Sequence, residues 1–132
     1  MSDAATLPGT EMTRPFWQGC RDGKLLVPKC NNCGRFFFAP EIACTHCFST
    51  DWNWVQSSGR GTLYSYSIVH RAPLPSFTTP FVFAVIDMEE GWTLFSNLLE
   101  CAFEDIHMDM PVAVVFALGP DGRILPLFKP HK

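Results

Sequence analysis

Apolar positions along this chain fall into short runs broken by Gly, Pro and polar clusters, a rhythm of strands and turns. From Thr62 to His70 they alternate, with Tyr64, Tyr66, Ile68 and His70 on one face and Leu63, Ser65, Ser67 and Val69 on the other. Phe81 to Met88 is apolar on both faces, which predicts a strand covered from both sides. Glu89-Glu90-Gly91 turns into a third strand, Trp92 to Leu99; Cys101 to Met108 predicts one or two helical turns. Val112 to Leu118 and Arg123 to Phe128 follow as strands around Gly119-Pro120-Asp121-Gly122. Three strands, a short helix and two strands is the order of an OB-fold, a five-stranded partly open barrel. Turn signals fix strand number loosely, so a six-stranded barrel or small sandwich stays open.

The first half reads differently. Residues 1 to about 10 are small and polar, which predicts disorder. Glu11 to Asp22 predicts a helix with Phe16, Trp17 and Cys20 near one face, Pro15 in its first turn and Gly23 at its end. Lys24 to Pro28 and Phe48 to Gln56 read as strands. Ser57-Ser58-Gly59-Arg60-Gly61 reads as a hinge, giving segments 1–23 (start and arm), 24–58 (cysteine-bearing module) and 59–132 (barrel).

Between those strands lie Cys30-Asn31-Asn32-Cys33-Gly34 and Cys44-Thr45-His46-Cys47-Phe48. Two Cys-x-x-Cys turns can deliver four thiolates to one tetrahedral zinc ion, so Cys30, Cys33, Cys44 and Cys47 are the expected metal ligands. Two disulfides, a redox dithiol or an iron centre are the alternatives. The intervening Arg35-Phe36-Phe37-Phe38-Ala39-Pro40 suits two small ribbon strands. His46 is expected at the surface. A module of about thirty residues cannot build an adequate core alone, and zinc would supply its stability.

Composition narrows the function. The chain has 132 residues, 47% hydrophobic and 17% charged, with twelve Phe and four Trp. That aromatic surplus exceeds what a small core needs and points to a ligand or partner surface. Ten basic residues against thirteen acidic ones, for a formal charge of −3, provide no clustered cations for nucleic acid. The N-terminus lacks the basic start and apolar core of a signal peptide, and no apolar run is long enough to span a membrane. Cysteines paired for a metal fit a reducing cytoplasm. Cys20 and Cys101 read as small, partly buried thiols.

The chain resembles a known family in Arg14-Pro15-Phe16-Trp17, Cys33-Gly34-Arg35 and Gly59-Arg60-Gly61-Thr62-Leu63-Tyr64-Ser65-Tyr66. Val69-His70-Arg71-Ala72-Pro73, Met110-Pro111-Val112 and Leu125-Pro126-Leu127-Phe128 extend the likeness over residues 14 to 130. These are the two-part proteins with an N-terminal rubredoxin-like zinc ribbon and a C-terminal OB-fold, associated with acyl-CoA. The resemblance implies a mostly β protein with structural zinc on the four cysteines. It further implies an auxiliary, non-catalytic subunit that binds acyl-CoA or bridges to a thiolase-like, lipid-transfer-protein-like or acyl-CoA hydratase partner.

Candidate ligand contacts are Trp17 and Phe37 for a flat apolar group, Arg60 and Arg71 for a CoA phosphate, and His70 as donor or base at the thioester. Against these, His70 capping a barrel edge, Arg71 paired with an acid and Arg60 solvated in a hinge are equally ordinary. Glu89-Glu90 and Glu104-Asp105 read as solvated turns. No phosphate-binding loop, nucleophile elbow or zinc-protease helix occurs. A nucleic-acid module, a stand-alone enzyme acting through His70 or Cys101, and a homodimer are the competing expectations.

Overall fold

A computed structural model describes residues 12–70, 80–119 and 122–131. The expected disorder at residues 1 to about 10, and Arg71 with most of its proline loop, lie outside the described residues. The chain forms helix α1 (Arg14–Arg21) and strands β1 (Leu26–Cys30), β2 (Trp52–Gln56), β3 (Arg60–Val69), β4 (Phe81–Met88) and β5 (Thr93–Leu98). A 3₁₀ turn (Phe103–Asp105), β6 (Pro111–Leu118) and β7 (Ile124–Pro130) complete it. β3 to β7 close into a barrel in the order β3-β4-β5-β7-β6, with Gly61 of β3 opposite Val112 of β6 at the closure. This is the expected five-stranded OB arrangement, with the short helical turn between the third and fourth barrel strands.

Pro15 sits in the first turn of α1, where its missing N–H costs nothing, and Gly23 at φ +76° follows the helix. Phe16 and Cys20 face inward. They join Leu25 and Val27 with the barrel residues Leu63, Ala84, Ile86, Leu94, Val112 and Phe128 in one continuous core. The cysteine-bearing half therefore does not depend on the metal alone; its first strand and helix are buried against the barrel.

Four local expectations are corrected. The run 35–40 forms no strand pair. It adds a single bridge, Lys29 to Phe36, to a two-stranded sheet made of the flanking β1 and β2. The β3 alternation changes phase at Tyr64, because a bulge sets Leu63 opposite Ile86 but Ser65 opposite Val85. Leu63 thus points inward before the bulge, and Ile68, opposite buried Val82, points inward after it. β4 is covered on one face only. Val82, Ala84 and Ile86 are buried, whereas Phe83 is 39% exposed and lies 5.9 Å, ring to ring, from the 69%-exposed Phe95.

The fourth correction concerns residues 57–61, which form an ordered junction rather than a hinge. Ser57 is buried and donates its hydroxyl to Glu90 Oε1 at 2.9 Å; the Ser58 N–H donates to Glu90 Oε2 at 2.6 Å. Trp92 Nε1 donates to the same carboxylate at 3.0 Å. Glu90 is therefore no solvated turn residue but the acceptor that ties the junction to the β4–β5 turn. Burial works against its charged form, but these donors outweigh that and hold its carboxyl below its ordinary value.

Candidate metal centre and ligand groove

The two Cys-x-x-Cys turns face each other between β1 and β2. The four Sγ atoms lie within 4.8 Å of one another. Cys30 and Cys47 are 3.6 Å apart and Cys33 and Cys44 3.7 Å. Tetrahedral coordination at ~2.3 Å requires sulfur separations of ~3.8 Å, whereas a disulfide requires ~2.05 Å. The geometry fits a single metal ion and excludes the two disulfides.

The turns also prepare the sulfurs for charge. The N–H groups of Asn32 and Cys33 point at Cys30 Sγ (3.3 and 3.4 Å), and that of His46 at Cys44 Sγ (3.3 Å). The Asn32 side-chain amide reaches Cys47 Sγ at 3.4 Å and is the foremost cause that draws this thiol down to about 6. The backbone at Arg35 pulls Cys33 the same way, yet desolvation and the three neighbouring thiols push it up to about 11. Four thiolates together need a cation, which zinc supplies. The site is a structural zinc centre held by Cys30, Cys33, Cys44 and Cys47. His46 is exposed, with Nδ1 3.3 Å from an Arg35 guanidinium nitrogen, outside the ligand set.

The knuckles differ at the residue after the second cysteine. Gly34 takes φ +76° at no steric cost, while Phe48 holds φ +66° with its ring 78% exposed.

A groove lies where α1, the ribbon and the barrel meet. Phe16 and Trp17 from α1 and Phe38 from the ribbon roof a hollow of about 270 Å³ over Leu94–Asn97 of β5 and Leu125–Leu127 of β7. A second hollow of about 350 Å³ adjoins it through Phe38, Leu94 and Phe95. The floor is a gap in the barrel. β5 and β7 run parallel with one register pair, Leu98 to Phe128, plus the Leu99 N–H donating to the Phe128 carbonyl at 2.7 Å. Continued in register, the next rung would need an N–H from residue 126, which is proline. The Ser96 hydroxyl caps the Pro126 carbonyl instead, at 2.7 Å.

Of the five candidate ligand contacts, the structure brings Trp17 to this groove. Phe37 is corrected: it is 2% exposed, packed with Cys30 and Cys44 and edge-on to Trp52 at 5.4 Å, so its ring is closed to a ligand. Its neighbour Phe38 takes the outward place. Arg60 pairs with Glu89, Nε to Oε2 at 3.2 Å, both side chains about half exposed. His70 is exposed beyond the end of β3 and does not line the groove. Arg71 lies outside the described residues. Phe38, Phe95 and Leu127 were missed; the Phe36-Phe37-Phe38 run was the available signal but does not say which ring turns outward.

Neither remaining thiol resembles a nucleophile. Burial pushes Cys20 up to about 12, and burial with the Asp105 and Glu104 carboxylates also raises Cys101, whereas attack requires thiolate.

Fold and metal site together define a zinc-ribbon/OB-fold protein. Residues 17–53 match the family description "ChsH2, rubredoxin-like zinc ribbon domain", and residues 54–117 match "ChsH2, C-terminal OB-fold domain". A DUF35 domain-containing scaffold protein of Methanocaldococcus jannaschii is 33% identical over 115 residues, 82% of each chain. The chain therefore belongs to the DUF35 family of ChsH2-type proteins. A probable enoyl-CoA hydratase alpha subunit of Thermomonospora curvata is 32% identical over 124 residues, 93% of this chain and 39% of that subunit. This chain thus spans about two fifths of that relative. Among solved structures, a chain of an Ltp2-ChsH2(DUF35) aldolase superposes with a TM-score of 0.84 at 30% identity, covering 92% of this chain and 96% of that one.

Proposed function

We propose that this chain is a non-catalytic auxiliary subunit that docks on a thiolase-like, lipid-transfer-protein-like or acyl-CoA hydratase enzyme and binds acyl-CoA. The observation that carries the reading is the apolar groove roofed by Trp17 and Phe38, in a chain whose metal site is structural. Among the described residues no nucleophile, base and orienting group come together. The names of the relatives agree with this: a scaffold protein, a hydratase alpha subunit and a chain of an aldolase. No described helix is long and apolar enough to cross a membrane, and intact thiolate ligands suit the reducing cytoplasm proposed for it.

The test is a tagged pull-down from the native source at moderate salt, followed by acyl-CoA binding on the recovered assembly. An acyl-CoA enzyme subunit in fixed ratio is expected. Recovery of the chain alone, or as a homodimer only, refutes the docking role. One observation favours a second reading: the exposed Phe83–Phe95 pair on the barrel resembles a base-stacking platform. The net negative charge opposes it, and salt-dependent retention of an oligonucleotide would support it.

A further inference from the structure

We infer that the groove receives the acyl chain of the thioester, while the nucleotide end of CoA is held outside it; this assignment rests on the acyl-CoA reading above. Among the described residues, no charged side chain lines either hollow. The polar side chains there already have partners. Ser96 donates to the Pro126 carbonyl, Asn97 Nδ2 to the Val82 carbonyl at 3.0 Å, and Thr93 Oγ1 to Asp87 at 3.2 Å. A diphosphate placed here would lose its water and find no cation, a heavy cost. Of the described cations on the arm, ribbon and junction, Arg60 pairs with Glu89, Lys29 stands over the Phe36 ring at 5.4 Å and Arg35 lies beside His46, while Arg14, Arg21 and Lys24 line neither hollow. An uncharged chain, by contrast, would replace water against the Phe16, Trp17, Phe38, Leu94, Phe95 and Leu127 surfaces.

The floor also sets a length. Leu94–Asn97 covers four strand residues, which is about 13 Å at ~3.3 Å each. Carbon–carbon bonds of ~1.5 Å advance a zigzag chain by about 1.3 Å per methylene. The groove therefore matches a chain of about ten carbons. Gap and roof have separate origins, Pro126 stopping the β5–β7 ladder and α1 with Phe38 covering the stop.

The test is calorimetric binding of a graded series of S-acyl-pantetheines to the full chain, alongside the same acyl-CoAs and 3′,5′-ADP. Affinity should rise about threefold to fourfold per methylene, the effect of burying one CH₂, and level off near ten carbons. Acyl-pantetheine and acyl-CoA should agree within about threefold, and 3′,5′-ADP should not compete. Affinity independent of chain length, or competition by 3′,5′-ADP, overturns the assignment. Leu127→Trp, which thickens the groove wall, should move the plateau to shorter chains. An unmoved plateau in a variant with wild-type zinc content and thermal unfolding also overturns it. If no acyl compound binds yet the pull-down retains an acyl-CoA enzyme, the groove is occupied by the partner and this inference fails alone. Ligand binding without any partner would defeat the docking role and leave the groove assignment standing.

Discussion

Replacing Glu90 by Ala removes one acceptor from three donors, and two of these sit on residues closed to water. Ser57 is 5% exposed and Trp92 4%. A hydrogen bond to a charged group contributes ~1.5–3 kcal/mol net, and a buried donor left unpaired costs ~1–3 kcal/mol. Glu90 itself is partly solvated, so water can reach part of the vacated space and the lower end applies. About 1 kcal/mol per donor gives a loss of about 2–3 kcal/mol. In urea, with a slope of ~1–3 kcal/mol per molar, the midpoint should fall by about 0.7–3 M. Glu90→Gln keeps one acceptor oxygen and should lose roughly half as much. The pH dependence has a definite sign. The folded pKa of Glu90 lies below its unfolded value, so its stabilisation is present above about pH 4.3 and disappears as pH falls through the folded pKa. The gap between wild type and Glu90→Gln should therefore close in acid. A midpoint shift below about 0.3 M for Glu90→Ala, or a gap that does not narrow as the pH falls below about 4.3, would refute the clamp.

Three further outcomes follow from the geometry. Purified, reduced protein should carry one zinc per chain by elemental analysis; Cys44→Ser should lower that content and disorder the two Cys-x-x-Cys turns while most strand signal by circular dichroism survives, because β1 stays packed on the barrel and the barrel does not enclose the metal. Gly61→Ala should destabilise by about 1–3 kcal/mol in chemical unfolding, since its new methyl would collide with the Asp87 backbone carbonyl at the point where the barrel closes. Phe48→Gly should leave stability within about 1 kcal/mol of wild type, relief of the left-handed backbone offsetting glycine's extra unfolded entropy. A drop of several kcal/mol would mean that the exposed ring makes unrecognised contacts.

The parts legible in the sequence are those set by local rules. Spacing alone assembled Cys30, Cys33, Cys44 and Cys47, because a Cys-x-x-Cys turn is a self-contained geometry. Strand order and the short helical turn followed from turn residues and apolar runs, and gave the barrel. What escaped depends on contacts between distant segments. Phe36, Phe37 and Phe38 are alike as letters, yet one lies under Lys29, one against the metal site and one over the groove. Glu90 looked like a turn residue because Ser57 and Ser58 lie more than thirty positions away. The bulge at Tyr64 breaks a clean alternation without a glycine to announce it. Pro126 was part of a recognised motif, but its effect on the ladder appears only once β7 is placed beside β5.

That interrupted ladder also bears on how the protein avoids sticking to itself. A strand pair that stops short leaves main-chain donors and acceptors facing outward, and such edges template further strands. Here α1 and Phe38 lie across the stretch where β5 and β7 part. A chain lacking the helical arm is therefore expected to lose solubility, recruiting neighbours along the seam that the arm now roofs.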